Sequence, residues 1–274
     1  MNIITKIYKH FIYNPIISFL FLLSSNINKK RFVSLFNFYS LLKKSNNRIF
    51  LKDNFFYNTE LDWRFSIQKS GLHYYGSGFK SRKEELLKSY LIKDIEIKDN
   101  DIVIDIGANN GDFYLSFNKK IYYYGFEPSP IIFSDLEYNV KNQKLFNFAV
   151  SNSDNINQKF YISDSWGDSS ILPINNYTNI INVKSITLDS VIDKIQKKIK
   201  LVKLEAEGFE PEILQGLKKY LNYVEYITID CGFERGVKQE STLVECCNYL
   251  MNNNFKIIDF GAPRIVTLFK NLNI

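Results

Sequence analysis

The run Ile102-Val-Ile-Asp-Ile106 passes directly into Gly107-Ala-Asn-Asn-Gly111 and then Asp112-Phe-Tyr-Leu115. A short apolar run without polar alternation is buried on both faces, which marks an interior strand of a parallel sheet. Two glycines within five residues, followed by helix-compatible residues, read as a tight turn into a short helix from Asp112. Glycine supplies positive φ there and removes a Cβ where backbone must approach a ligand closely. A strand–turn–helix unit of this kind belongs to a sheet covered by helices.

The rest of the chain repeats the pattern. After a polar, aromatic stretch from Asn54 to Lys80, Ser81–Leu91 has helical spacing. Ile121–Phe126 reads as a strand ending at Glu127, and Ile131–Asn142 as a helix with Pro130 preset for its first turn. Phe146–Val150 is a short third strand. An insertion of mixed character follows, with Phe160-Tyr161-Ile162, the polar Asp164–Ser170 turn and Val183–Leu188. Leu201–Leu204 is strand four, Pro211–Leu221 its helix, Val224–Ile229 strand five and Leu243–Met251 a helix. Phe255–Phe260 and Ile265–Phe269 flank Gly261-Ala-Pro263 as an antiparallel pair. The expected class is α/β, a Rossmann-like, doubly wound, mainly parallel sheet with a C-terminal antiparallel strand pair and a helical N-terminal arm. Three segments follow: the arm 1–50, an extension 51–100, and the main domain 101–274.

Charge is uneven along the chain. Residues 1–50 hold eight Lys and Arg and no acid, whereas the other 224 hold 27 basic and 29 acidic residues. A nearly neutral body is a poor candidate for tracking a phosphate backbone, so no nucleic-acid partner is expected. The arm contains the apolar run Phe11–Leu23, too short to span a bilayer, and Arg31–Lys44, which sets Phe32, Leu35, Phe36, Tyr39 and Leu42 on one helical face. Apolar helices with basic flanks can lie on an anionic membrane surface; packing on the body or on a second subunit is the plainer reading. The sequence leaves the oligomeric state open. Cys231, Cys246 and Cys247 lack metal-ligand spacing and fit a reducing cytosol, and with His10 and His73 as the sole histidines a zinc site is not expected. The expected location is cytoplasmic, with the arm at the cytoplasmic membrane face as the variant.

Asp105, Gly107 and Gly111 form the candidate ligand loop, with Ala108, Asn109 and Asn110 between the glycines and Asp112 opening the helix. A nicotinamide dinucleotide would ask for G-x-G-x-x-G, with its pyrophosphate on the helix N-terminus. Here Asn109 replaces the middle glycine, and the Asp112 carboxylate repels a pyrophosphate but suits a sulfonium and an ammonium. Glu127, 22 residues after Asp105, ends the next strand, where a carboxylate can accept both ribose hydroxyls.

Val103-Ile-Asp-Ile-Gly-Ala-Asn-Asn-Gly-Asp-Phe113, Gly125-Phe-Glu-Pro-Ser129, Leu188-Asp189, the stretch from Lys203 to Gly216 and Asp230-x-Gly-x-Glu-Arg-Gly236 resemble the FkbM-type methyltransferases. The resemblance covers roughly residues 80–270. It implies a class I enzyme using S-adenosyl-L-methionine, many relatives acting on hydroxyls of sugars or polyketides. It further implies that Asp105 and Gly107 meet the methionine part and Glu127, with Pro128 beside it, the ribose, while backbone around Ala149 and Val150 flanks the adenine. Arg82 and Tyr90 become cofactor-lid candidates. Glu205 departs from the pattern, which often has Asp there.

An alcohol is a feeble nucleophile, so methyl transfer to a hydroxyl calls for a general base. Glu205 and Glu207 after strand four, and Asp230 at the end of strand five, are the catalytic candidates, with Glu234 and Arg235 in the loop beyond. One of these acids acts as base, or two hold a divalent metal; the metal-free reading is favoured. Gly167-Asp-Ser-Ser170 covers the cleft or is an exposed turn, and His73 is a base or, more plainly, structural. The leading function is O-methylation of a glycan, sugar or related small acceptor. The alternatives are a methyltransferase on another acceptor class, and a membrane-associated cofactor-binding or scaffold protein without turnover.

Overall fold

The computed structural model describes residues 27–65, 71–163, 167–262 and 264–274. The apolar run Phe11–Leu23, residues 164–166 of the polar turn, and Pro263 lie outside them. The chain divides at Arg82/Lys83 into two compact units.

In the first unit, α1 (Lys29–Leu42) starts at Asn28, whose side chain accepts from the Arg31 N–H. It buries Phe32, Phe36 and Tyr39, but Leu42 stays 41% exposed. The inward stripe closes instead on Ser40, whose hydroxyl donates to Gly76 O at 3.0 Å. Strands β1 (Ile49–Lys52), β2 (Phe55–Asn58) and β3 (Arg64–Phe65) form an antiparallel sheet; β2 and β3 fall in the polar, aromatic stretch Asn54 to Lys80, for which the sequence pattern predicts no strand. The overlooked signal is Asp53-Asn54, both at positive φ (48° and 72°), the two-residue turn whose twist matches a hairpin.

The helix α2 (Phe79–Ser89) leads into the second unit, built on seven strands. They are β4 (Ile102–Ile106), β5 (Tyr122–Phe126), β6 (Lys144–Phe146), β10 (Ile199–Leu204), β11 (Val224–Asp230), β14 (Phe255–Gly261) and β15 (Val266–Asn271), in spatial order β14-β15-β11-β10-β4-β5-β6. β6, β5, β4, β10 and β11 pair in parallel, and β15 runs antiparallel to both neighbours. The mainly parallel sheet and its C-terminal antiparallel pair follow the expectation. β4 and β10 are fully buried along the register Leu201↔Val103 to Leu204↔Ile106. Order reverses at β4, with β5 and β6 to one side and β10 and β11 to the other, so the strand ends open a crevice there.

Four helices follow the strands: α3 (Pro130–Asn139), α4 (Leu188–Ile195), α5 (Glu210–Gln215) and α6 (Leu243–Met251). Val191, Ile192, Ile213, Leu214, Cys246 and Leu250 join the strand residues in one apolar core. Three details differ from the sequence reading. Phe146–Val150 is not one strand: β7 (Ala149–Val150) leaves the main sheet and pairs with β9 (Asn179–Ile186), itself antiparallel to β8 (Asn157–Ile162). Asn147 makes the break, its amide donating to Glu127 O at 2.8 Å and Pro128 O at 3.0 Å. α4 emerges where no helix had been read, capped by Thr187 Oγ1, which accepts from Ser190 N–H at 3.1 Å. α5 stops at Gly216 rather than reaching Leu221: the Gly216 N–H closes the last turn on Glu212 O at 3.1 Å and Ile213 O at 3.0 Å, and Ser151 O packs where a Cβ would stand.

Candidate active site

The loop after β4 is held from two sides. The N–H groups of Gly107 and Ala108 both donate to Phe126 O, at 3.0 and 2.9 Å. From the other side Lys203, a lysine within the apolar β10, donates to Gly107 O at 2.9 Å and Ile106 O at 3.3 Å. Gly107 has φ 72°, and a Cβ there would stand 2.0 Å from Glu205 O, so this position admits glycine alone. Gly111 has φ 91°, and Asn109, at φ 48°, makes the remaining turn.

Beneath the loop Asp105 is fully buried. It pairs with Lys203 at 2.9 Å and accepts the Tyr123 hydroxyl. Burial raises its pKa against the pull of Lys203 and Tyr123. Burial also opposes the charge on Lys203, but Asp105, Tyr90 and Glu205 outweigh it and keep the ammonium protonated. The methionine-side candidate Asp105 therefore meets the loop through Lys203 rather than as an exposed acid. Asp112 is buried at the start of a 3-10 turn, and Asn110 O accepts from the Asn139 amide at 2.9 Å.

Glu127, at the end of β5, is anchored by main chain. Asn109 N–H donates to one carboxylate oxygen at 3.1 Å and Ser129 N–H to the other at 2.9 Å. Burial pushes its pKa up to about 7, the two N–H groups opposing. Each oxygen keeps a lone pair for a further donor, the geometry a vicinal diol requires. Pro128 stands between Glu127 and Ser129, and Ala149 and Val150 are buried in β7.

At the ends of β10 and β11 the acids are held by side chains. Glu205 accepts the Tyr90 hydroxyl, pairs with Lys203 at 3.1 Å and with Arg264. Burial disfavours its charge, but Lys203, Arg264 and Tyr90 prevail and set its pKa at about 2. Asp230, fully buried, pairs with Arg264 Nε and accepts Gly232 N–H at 3.1 Å. Glu207 takes φ 51° in the following loop, where its carbonyl accepts the Ser170 hydroxyl at 2.9 Å. Gly208, at φ 92°, lets the loop touch β12 (Phe233–Arg235): a Cβ there would be 2.3 Å from Arg235 Cα. Arg235 clamps this contact by bonding Gly208 O and, bidentately, Glu212. Glu210, buried, caps the same turn by accepting Ala206 and Gly208 N–H groups.

Glu205, Glu207 and Asp230 thus converge at one end of the crevice, and the Asp105–Asp112 loop with Glu127 forms the other. Sequence reasoning gave no role to Lys203 or Arg264; a lysine inside an apolar strand was the available signal for the first, and none existed for the second. Tyr90 serves Glu205 and packs edge-on against Phe113. Arg82 lies over Tyr74 and Tyr75 in the first unit, where His73, stacked near Tyr74, is held below its usual pKa by burial and by Arg82. Asp189 of the Leu188-Asp189 motif accepts the Lys219 and Tyr220 N–H groups, a structural task. A separate cavity of about 530 Å³, lined by Phe146, Phe148, Ile186, Asp189 and Tyr220 among others, shares none of the candidate residues. Among the described residues no three His, Cys, Asp or Glu converge as metal ligands, and no helix is long and apolar enough to cross a membrane.

Hexuronic acid methyltransferase AglP of Haloferax volcanii is 26% identical over 150 residues, covering 49% of this chain and 57% of that protein; the chain spans little more than half of this curated relative. A crystal structure of methyltransferase FkbM from Methylobacillus flagellatus KT aligns over 73% of this chain and 52% of that one, at 15% identity and a TM-score of 0.46. Aeropyrum pernix fibrillarin with natively bound S-adenosyl-L-methionine aligns over 82% of each chain, at 11% identity and a TM-score of 0.39. The family model described as Methyltransferase FkbM domain matches residues 105–257, more than half of the chain. The chain therefore belongs to the FkbM methyltransferase family.

Proposed function

We propose that this protein transfers a methyl group from S-adenosyl-L-methionine to a hydroxyl of a glycan, sugar or related small acceptor. The observation that carries the reading is the acidic lining of the crevice. Asp105, Glu127, Glu205, Glu207, Asp230 and Glu234 surround it, and Lys203 and Arg264 are each already paired with two acids. This set fits an adenosyl ligand carrying a sulfonium and an ammonium, and it fits a pyrophosphate poorly. Family membership and the sugar-acid specificity in the name of AglP support the acceptor class.

When bound, the donor supplies a methyl group on a cationic sulfur. Glu127 accepts the ribose hydroxyls, oriented by Asn109 and Ser129. Main chain of Gly107, Ala108, Asn109, Asn110 and Gly111 lines the methionine side, with Asp105 acting on it through Lys203 and Asp112 adding negative charge. Pro128 and the backbone entering β7 at Ala149 and Val150 flank the adenine. At the other end Glu205, Glu207 and Asp230 surround the acceptor hydroxyl, and a carboxylate of this end removes its proton.

Calorimetric titration with S-adenosyl-L-methionine and with NAD tests the donor assignment. A micromolar response to the first and none to the second is expected; preference for NAD overturns the reading. Methyl transfer to hexuronate-bearing oligosaccharides, located by mass spectrometry, tests the acceptor class. Methylation confined to amines, or to the hexuronate carboxylates as methyl esters, refutes transfer to a hydroxyl.

A further inference from the structure

The acids at the acceptor end separate by how their lone pairs are used. Glu205 has Tyr90, Lys203 and Arg264, and Asp230 has Arg264 and Gly232 N–H. Glu210 is bonded to two main-chain N–H groups of its own turn. Glu207 and Glu234 differ. Among the described residues neither carboxylate accepts a hydrogen bond or meets a cation at ion-pair distance. Both sit at the contact between the loop after β10 and strand β12, since Glu207 precedes Gly208 and Glu234 precedes Arg235, the two residues that touch. Glu234 leans back toward the strand ends: a Cβ built on Gly232 would lie 3.1 Å from Glu234 Oε1 and 3.2 Å from Asp230 Oδ1. Glu207 is fixed in the left-handed region, a conformation that carries strain for a non-glycine residue and is kept here by Ser170 and by the Gly208–Arg235 contact.

Resting on the methyl-transfer reading, we propose that Glu234 is the base that takes the acceptor's proton, with Glu207 as its carboxyl partner, and that Glu205 is a fixed anion. A carboxylate already holding two cations and a phenol has little basicity left to offer. The electrostatics agree. Burial first, then Asp230, Glu205 and Glu210, raise Glu234 to about 8, with Arg264 opposing. Burial first, then Glu234, Glu205, Asp168 and Glu210, raise Glu207 well above the usual range. Both carboxyls are thus pushed toward the protonated form, and Glu234, raised to about 8, is the member that exchanges its proton. In the step, the acceptor O–H proton moves to a Glu234 oxygen. The freed electron pair on the acceptor oxygen forms the new O–C bond, and the C–S pair stays on sulfur, which departs as a neutral thioether. Glu234 then returns the proton to water, so one proton is released for each methyl transferred.

The test uses the full chain and the variants Glu234→Gln, Glu234→Asp, Glu207→Gln and Glu205→Gln. Donor affinity is read by calorimetry, turnover on hexuronate-bearing oligosaccharides from pH 6 to 9.5, and Glu carboxyl titration by ¹³C NMR. Wild-type turnover should rise with pH toward a plateau above 8. Glu234→Gln should lower kcat by about 100-fold or more, abolish that limb, and delete one carboxyl resonance titrating near 8, with donor affinity kept within a few-fold. Glu234→Asp should restore part of the rate and the limb; Glu207→Gln should displace the limb without removing it. A Glu234→Gln enzyme that keeps the limb, or whose NMR titration matches wild type, overturns the proposal, as does transfer of the limb's loss to Glu205→Gln. A wild type that fails to bind the donor defeats the methyl-transfer reading itself. If no acceptor in the set is methylated, the NMR titration decides the base assignment.

Discussion

The two ends of the crevice are built from different materials. At the proposed donor end the Glu127 carboxylate and the N–H groups of the glycine loop are positioned by main chain, Phe126 O, Asn109 N–H and Ser129 N–H, while Lys203, Asn139 and Asn147 brace the carbonyls behind them. At the acceptor end Glu205 and Asp230 are positioned by side chains, Tyr90, Lys203 and Arg264, drawn from α2's C-terminal side, β10 and the β14–β15 turn. Main-chain donors cannot be mutated away and have fixed geometry, so they suit a constant ligand. Side-chain ion pairs are exchangeable one residue at a time, so they suit the end where acceptors vary. Lys203 joins the two, holding Gly107 O on one side and Glu205 on the other.

Breaking that link should give the largest effect. Lys203→Met leaves Asp105 buried without its cation and frees the glycine loop. Loss of one partner of a buried pair costs about 3–5 kcal/mol, so a large drop in Tm is expected, with donor binding lost in whatever folded fraction remains. Lys203→Met combined with Asp105→Leu, which removes both charges, should recover much of the Tm but not the donor affinity. Recovery of affinity in the double variant would show that the loop holds itself and that the two ends are independent.

Gly107→Ala probes the main-chain end alone. Its Cβ has no space against Glu205 O, and φ 72° is unfavourable for alanine, so the loop must shift. A misplacement of about 1 Å costs on the order of 100-fold in rate, and a loss of at least that size in kcat/KM is expected by kinetic assay. Arg264→Lys should spare donor affinity and act on acceptor kinetics, because it keeps one charge but loses the fork that joins Glu205 to Asp230. If the arginine variant weakens the donor as much as the glycine variant does, the division into two ends fails.

The contrast also explains what the sequence discloses. The elements proposed for the donor end can be located in the sequence because they are local: strand, glycine turn and an acid at the next strand's end all lie between Ile102 and Glu127. Those proposed for the acceptor end can be located only in part. Glu205, Glu207 and Asp230 stand out at strand ends, but nothing near Arg264 announces that it reaches Glu205, 59 residues earlier. Nor could their different protonation be read, since Glu205 and Glu207 are near-neighbours in sequence with opposite shifts, set by partners far along the chain. Elements fixed by a single local interaction were missed where that interaction is a side-chain bond: Asn147 divides an expected strand, and Thr187 starts an unexpected helix.

Glu127 sharpens the donor end through pH. Its pKa in the fold is about 7 against an ordinary 4.5, so between those values the folded state binds more protons than the unfolded. Its contribution therefore favours folding at low pH and is lost as pH rises through that window. Donor affinity should move the opposite way, rising several-fold as Glu127 ionises and becomes a better acceptor for ribose hydroxyls. Glu127→Gln should weaken the donor by about 10- to 30-fold, the scale of one hydrogen bond to a charged group, and flatten the pH dependence in calorimetry. A Glu127→Gln titration with the wild-type pH slope would assign the slope to another acid.

Asn147 offers the mildest perturbation of the same end, and the one that asks whether main chain suffices there. Its amide donates to Glu127 O and Pro128 O, fixing the backbone behind the carboxylate without touching the carboxylate itself. Asn147→Ala removes both donations while leaving Asn109 and Ser129 N–H groups in place. Each such bond contributes about 1 kcal/mol net, so a Tm lower by a few degrees and a donor Kd raised a few-fold are expected, with the Glu127 pH slope preserved. Affinity equal to wild type would mean that the two N–H groups hold Glu127 unaided. A loss matching that of Glu127→Gln would make the Asn147 side chain as decisive for the donor as the Glu127 carboxylate.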